Sequence, residues 1–201
     1  MKPWYGSLGL LALMVLNSCA PLSTFPPEVS NGADKNFDFH AWRVLPKATV
    51  GRKVQLGGRI VQVNEEQEAL VIIAAQLPIV ERPAFGPRDT GKRAGEFAVF
   101  YPGTINPKSL RYGNRLMVIG VTEQPKIVTV DEVQRSLPTL TAQCLHIWNT
   151  GGKEIAEFPY NAGAGYEPLE ENTFCAPKRQ EPADPASGSG QPEPRPSNPP
   201  H

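Results

Sequence analysis

Apolar positions along this chain fall into three regimes. The first is a continuous run, Leu8-Gly9-Leu10-Leu11-Ala12-Leu13-Met14-Val15-Leu16, behind the basic start Met1-Lys2. It is shorter than the about 20 apolar residues that cross a bilayer, so it reads as a secretory-signal core and not as a permanent span. The second regime, from about Val50 to Trp148, carries short apolar bursts broken by turns. The third, Ala176 to His201, is Pro, Gly, Ser and charge without apolar period. Such a segment buries too little surface to fold and is expected to be disordered.

The middle regime predicts strands. Lys53-Val54-Gln55-Leu56 alternates, Gly57-Gly58 interrupts, and Ile60-Val61-Gln62-Val63 resumes. A glycine pair within a strand marks a bulge or sharp bend, so Gly57 and Gly58 read as structural glycines. Asn64-Glu65-Glu66-Gln67 is a polar turn. Ala69 to Ala75 is apolar on both faces, the mark of a central strand. Gly95 to Tyr101, Leu116 to Val121, Ile127 to Val130 and Ala142 to Trp148 complete the set. Short strands with glycine bends and no long helical period point to a mainly β fold: a small OB-like β-barrel, with an open sandwich as second choice. Phe39, Trp42 and Leu45 stand at helical spacing before Pro46, predicting a short amphipathic cap whose aromatic residues pack into the core.

The expected organisation is a signal peptide over 1–18, a tether over 19–38, the barrel domain over 39–150, a loop extension over 151–175 and a tail over 176–201. Leu77 to Ala94, carrying Arg82, Arg88, Lys92 and Arg93, reads as a solvated connection stiffened by Pro78, Pro83 and Pro87, ahead of a binding loop as the other reading. Tyr160 to Tyr166 reads as a loop.

Charge adds an exclusion. The chain has 20 Lys+Arg and 20 Asp+Glu, and loss of Lys2 with the signal leaves a formal charge of −1. That balance gives no electrostatic reason to bind nucleic acid. Of three cysteines, Cys19 follows the apolar run, and Cys144 and Cys175 remain. An oxidising compartment permits the latter two to pair; two independent thiols is the other reading.

Leu16-Asn17-Ser18-Cys19 resembles the lipobox of bacterial lipoproteins. The resemblance implies cleavage between Ser18 and Cys19, diacylglycerol on the Cys19 sulfur and acylation of the new amine. Several acyl chains make a stable anchor, at about 0.8 kcal/mol per buried methylene. Ala20, where Asp marks inner-membrane retention, favours the outer membrane. Further motifs follow in order: Val54-Gln55-Leu56-Gly57-Gly58-Arg59-Ile60-Val61, Asn64, Leu77 with Arg82-Pro83, Gly95-Glu96-Phe97, Asn106-Pro107, Tyr112-Gly113, Arg115 with Val118 and Gly120, and Leu145-His146-Ile147-Trp148. In order and spacing they resemble the Slp family of outer-membrane lipoproteins, named for starvation-inducible members. Leu56 stands where the family has Trp, Glu81 where it has Gly, and Glu96 where it has Arg; the last inverts a charge. The resemblance implies an envelope location, probed by palmitate labelling, a periplasmic-facing domain and a link to stress physiology. It implies no defined reaction.

Candidate chemistry is sparse. The histidines are His40, His146 and His201, with no metal-ligand spacing, and no Gly-x-Ser-x-Gly elbow occurs. No catalytic residue, metal or cofactor is therefore expected. His146, alternating with Leu145 and Ile147, reads as a half-exposed structural histidine; Arg59, Arg82 and Arg115 read as scattered surface arginines, with contact to an anionic headgroup or sugar acid as the other reading. The expected function is a non-enzymatic envelope lipoprotein that binds a small ligand, an envelope protein or a cell-wall partner. The alternatives are a hydrolase acting on cell-wall or lipid material, and an adaptor using the tail segment Gln191-Pro192-Glu193-Pro194-Arg195-Pro196.

Overall fold

The structure, a computed structural model, describes residues 24–66, 69–81, 85–89, 94–154 and 169–177. The fold is mainly β. β1 (Lys53–Glu65), β2 (Leu70–Leu77), β5 (Glu96–Tyr101), β6 (Arg115–Val130) and β7 (Val133–Trp148) form one sheet in the order β5-β2-β1-β6-β7. A parallel pairing of β5 with β7, Ala98 opposite Thr139 through Phe100 opposite Thr141, closes the strands into a ring. Closure leaves these five strands without an exposed edge at the seam. A small two-stranded sheet, β3 (Ile79–Val80) with β4 (Gly86–Pro87), lies in the connection between β2 and β5.

Side-chain alternation sorts the strands into two faces. Val54, Leu56, Ile60, Ile72, Ala74, Phe97, Val99, Leu116, Val118, Leu140, Leu145 and Ile147 fill the interior. The interior is completed by α2 (Phe39–Val44), which buries Phe39 edge-on against Trp42 and Phe97, with Trp42 tilted against Phe97. Asp38 starts this helix by accepting from the Ala41 amide at 3.0 Å. Leu45, expected in the same stripe, is 65% exposed. The helix stops at Val44, and Leu45 leaves helical geometry ahead of the 3-10 turn Pro46–Thr49.

The outer faces are covered too. The far half of the β6–β7 hairpin brings Val128, Val130 and Leu137 over Val71, Ile73 and Ala98. Asp131 and Glu132 turn this hairpin with φ of 48° and 65°, the left-handed backbone a tight two-residue hairpin needs. β7 begins well before Ala142 and runs through Pro138. This proline falls at a register shift between Glu123 and Lys126, opposite Gln124-Pro125, where the ladder needs no amide from either proline.

The glycine pair differs from expectation in its role. Register runs unbroken through Gly57 and Gly58 and shifts between Ile60 and Gln62 instead. What the pair provides is room. A Cβ at Gly57 would lie 2.8 Å from Ile79 Cγ1 and 2.9 Å from the Leu77 carbonyl oxygen; one at Gly58 would lie 3.1 Å from Ala74 Cβ. Gly57 thus lets β3 and β4 sit on the outer face, and Gly58 lets the ring contract inside.

Two segments read as free chain are packed. Residues 24–38, expected as tether, form a strap over the outer face of β6 and β7. Phe25 is buried with Met117, Ile119, Cys144 and Trp148, and Val29 and Ala33 pack alongside. α1 (Pro27–Ser30) sits in this strap, and Asp34 pairs with Val54 as an isolated bridge. Arg52 binds Asp34 at 2.7 Å. Within 151–175, expected as loop, β8 (Glu171–Cys175) pairs with β7 from Cys144 to Trp148. β8 takes up the edge of β7 that β5 leaves beyond Thr141, since unpaired strand amides are costly to bury. Cys144 and Cys175 face each other in this register and are disulfide-bonded, with α-carbons 4.0 Å apart. Ser18, Cys19, Tyr160 to Tyr166 and the tail from residue 178 lie outside the described residues. Among the described residues no helix is long and apolar enough to cross a membrane.

Candidate functional site: a buried arginine pair

Arg59 on β1 and Arg115, the first residue of β6, are direct register partners. Like charges opposite each other destabilise an antiparallel pair. Here both are also buried, at 4% and 0% exposure, contrary to their reading as scattered surface arginines. Alternation puts them on the outer face, beside Gly57, where β3 and β4 cover the ring. Arg82, grouped with them in the sequence, lies outside the described residues.

A carboxylate makes the pair tolerable. Asp89, two residues beyond β4, places one oxygen, Oδ2, on both guanidiniums: 3.4 Å from Arg59 Nη1 and in a short contact with Arg115 Nη2. Arg59 Nη1 also reaches Glu154 Oε1 at 3.2 Å, but the Glu154 side chain is 73% exposed. Arg115 Nη1 donates to the Gly113 carbonyl at 2.7 Å. Arg115 Nε is buried and has no partner among the described residues. Burial pulls the Arg115 guanidinium below its ordinary pKa; Asp89 opposes this and Arg59 adds to it. A guanidinium nevertheless keeps its proton in proteins, so the site holds two fixed positive charges and one half-buried carboxylate.

A rigid turn aims Arg115. Gly113 has φ of 85° and approaches Gly152 too closely for any side chain. Its amide donates to the Ile60 carbonyl at 2.8 Å, and its carbonyl accepts from Thr150 Oγ1 at 2.9 Å. Asn114, fully buried, donates through Nδ2 to the Ser109 carbonyl at 2.9 Å and accepts from the Thr150 amide at 3.1 Å. The guanidinium is therefore held in place by its own turn and packing.

A second polar node lies under the strap. His146 Nδ1 is 2.7 Å from Thr173 Oγ1, and Nε2 is 3.4 Å from Glu171 Oε2. Its ring meets Trp148 edge-on at 4.1 Å and Phe25 at 6.3 Å. Burial lowers its pKa, while the hydrogen bond and charge of Glu171 oppose the shift. His40 is exposed on α2, so the structure does not bring the two histidines together. Thr173 Oγ1 donates to the Thr24 carbonyl at 3.2 Å, which places the start of the strap beside this node. Glu96, the charge-inverted position, pairs with Arg135 at 3.4 Å. Among the described residues no group of three His, Cys, Asp or Glu could hold a metal ion.

Sequence reasoning missed Asp89, which lies in a connection read as solvated, and missed the pairing of Arg59 with Arg115. The second was recoverable only once β1 and β6 were set in register.

The model of the outer membrane lipoprotein Slp family matches residues 16–174. The chain belongs to that family. The Slp match begins at Leu16, three residues before Cys19, and runs through the strap and the ring to Phe174 in β8. No curated protein matches the chain. Among solved structures, the crystal structure of Schizosaccharomyces pombe Pot1pC bound to ssDNA is similar at a TM-score of 0.29 and 8% identity. That likeness covers 69% of this chain and 87% of the other; at such a score it carries no argument.

Proposed function

We propose that this Slp-family chain is a non-enzymatic lipoprotein of the outer membrane, anchored through acylated Cys19 and facing the periplasm. Its domain sits close against the membrane and serves the envelope under stress by binding. The observation that supports this is the burial of Phe25 at 3% exposure. Only residues 20–24 separate Cys19 from that docked side chain. Fully extended, six Cα steps reach about 20 Å, so acylation at Cys19 confines the β7–β8 side of the ring to the bilayer surface. A long flexible tether would instead let the domain range freely.

The test is metabolic labelling with a palmitate analogue in wild type and Cys19→Ala, followed by separation of inner and outer membranes. Label on the wild type alone, in the outer-membrane fraction, supports the reading. An unlabelled, soluble wild type overturns it. Survival and permeability of a deletion strain under acid and starvation test the stress role, and unchanged behaviour in both counts against it.

A further inference from the structure

Two guanidiniums share the outer face of the ring, and the ring itself supplies no carboxylate to them. The carboxylate they share comes from an appendage. Asp89 follows a sheet whose ladder is two residue pairs, Ile79 with Pro87 and Val80 with Gly86, tied further by the Arg88 amide on the Pro78 carbonyl at 2.9 Å. So short a ladder opens at far lower free energy than the ring. Asp89 also fits its partners imperfectly. It uses a single oxygen for both arginines and leaves Arg115 Nε without an acceptor. Nε and Nη2 together form the planar side-on fork of a guanidinium, which matches the two oxygens of a carboxylate. An incoming carboxylate that spans this fork satisfies a donor that Asp89 does not.

We propose that the Arg59–Arg115 pair is a binding site for a small organic carboxylate, such as a uronic acid, which Asp89 occupies in the unliganded chain and yields to the ligand. Arg115 grips the ligand bidentately, and Arg59 neutralises it from the facing strand. The Gly113–Asn114 turn keeps Arg115 aimed. Asp89 acts as an internal competitor: it neutralises the pair when no ligand is present and sets the concentration at which ligand enters. A phosphate also pairs bidentately with a guanidinium, so inorganic phosphate is the control that separates a carboxylate ligand from a phosphorylated one.

The experiment is a titration of the full lipidated chain in detergent micelles, read at the Arg115 Nε–H resonance by NMR. The probes are acetate, D-glucuronate and inorganic phosphate. Saturable shifts of that resonance with acetate or D-glucuronate, and not with phosphate, support the proposal. Tighter binding of D-glucuronate than acetate assigns the sugar ring a part. Asp89→Asn, which removes the competing charge at constant shape, is expected to tighten carboxylate binding at least tenfold. Arg115→Lys, which keeps the charge and loses the fork, is expected to weaken it at least tenfold. No shift in wild type with any probe overturns the proposal, whatever the variants do. Binding confined to Asp89→Asn overturns it as well, because the pair is then a fixed ion cluster. Equal binding of phosphate overturns the assignment to carboxylates.

Discussion

Replacing Phe25 with Ala tests whether the strap holds the domain to its anchor. Phe25 fills a site walled by Met117, Ile119, Cys144 and Trp148 on the outer face of β6 and β7. Truncation of a buried Phe to Ala costs about 3–5 kcal/mol, with the spread set by how far the site collapses. The strap is peripheral and can settle into the gap, which argues for the lower end, about 3 kcal/mol. At about 2 kcal/mol per molar urea, typical for this size, the unfolding midpoint falls by about 1.5 M. Local opening responds too. Every 1.4 kcal/mol is about tenfold in an equilibrium, so exchange of the Asp34 and Gln55 amides speeds by about a hundredfold. Those amides bond the Lys53 and Asp34 carbonyls and report directly on the strap. Release of the chain back to Asp34 lengthens the reach from Cys19 from about 20 Å to about 50 Å. Depth-dependent quenching of a dye on the ring by labelled lipids measures that change. A stability loss below about 0.5 kcal/mol, the size of an ordinary surface substitution, together with unchanged quenching, would refute the docked strap and the close apposition drawn from it.

Gly120→Ala should destabilise by about 2 kcal/mol or more, since the new methyl meets the Thr141 carbonyl and lies 2.6 Å from Leu140 Cδ1, and overpacking a tight core has that scale; urea unfolding measures it. Cys175→Ser opens a loop of separation 31, which on chain entropy removes about 3.5 kcal/mol; the same loss should follow from reducing the wild type with dithiothreitol. His146 sets a pH dependence. Its folded pKa lies below the ordinary histidine value because burial disfavours the imidazolium, so the unfolded chain takes up a proton first as pH falls. Its contribution is complete above about pH 6.5 and declines below it, by at most about 1.4 kcal/mol per pH unit until the folded form protonates too. His146→Gln should flatten that stretch of the stability–pH curve, and an unchanged curve would dismiss His146 as its source.

The ring was legible because its code is local. Alternation and glycine placement in Lys53 to Val63, Ala69 to Ala75 and Leu116 to Val121 give strands wherever they occur. What surrounds the ring was not legible, because burial there is conferred by distant chain. Pro26-Pro27 and Asn31-Gly32 have the composition of a spacer, and only the single aromatic Phe25 marked a docked segment. Glu171-Asn172-Thr173-Phe174-Cys175 has no alternation and becomes a strand because β7 has an edge to fill. His146 was placed on the outer side of its strand by alternation, but its burial depends on Phe25 and Trp148 above it. Leu45 shows the opposite error: helical spacing predicted burial, yet the helix had ended. The candidate site failed for the same reason as the strap. Arg59 and Arg115 stand far apart in sequence, and only the β1–β6 register makes them one charged pair.

The appendages are not independent of one another. Ile79 of β3 packs against the cluster that holds Phe25, and Trp148 of that cluster stands opposite Arg115 in the β6–β7 register. The strap and the β3–β4 sheet therefore rest on one apolar patch of the outer face, with the arginine pair at its border. A closed ring of strands is stiff, since moving any one of them breaks ladders on both sides. The two appendages are held instead by a few apolar contacts and short ladders, the elements that open at low free energy. The elements expected to open at low free energy thus lie together on the face that carries the strap and the arginine pair. On the proposed reading, a ligand that displaced Asp89 would loosen the sheet carrying Ile79, whose apolar patch is shared with the strap. Coupling between two such sites is reciprocal by thermodynamic necessity, so whatever fixes the strap also steadies Asp89 over the arginines.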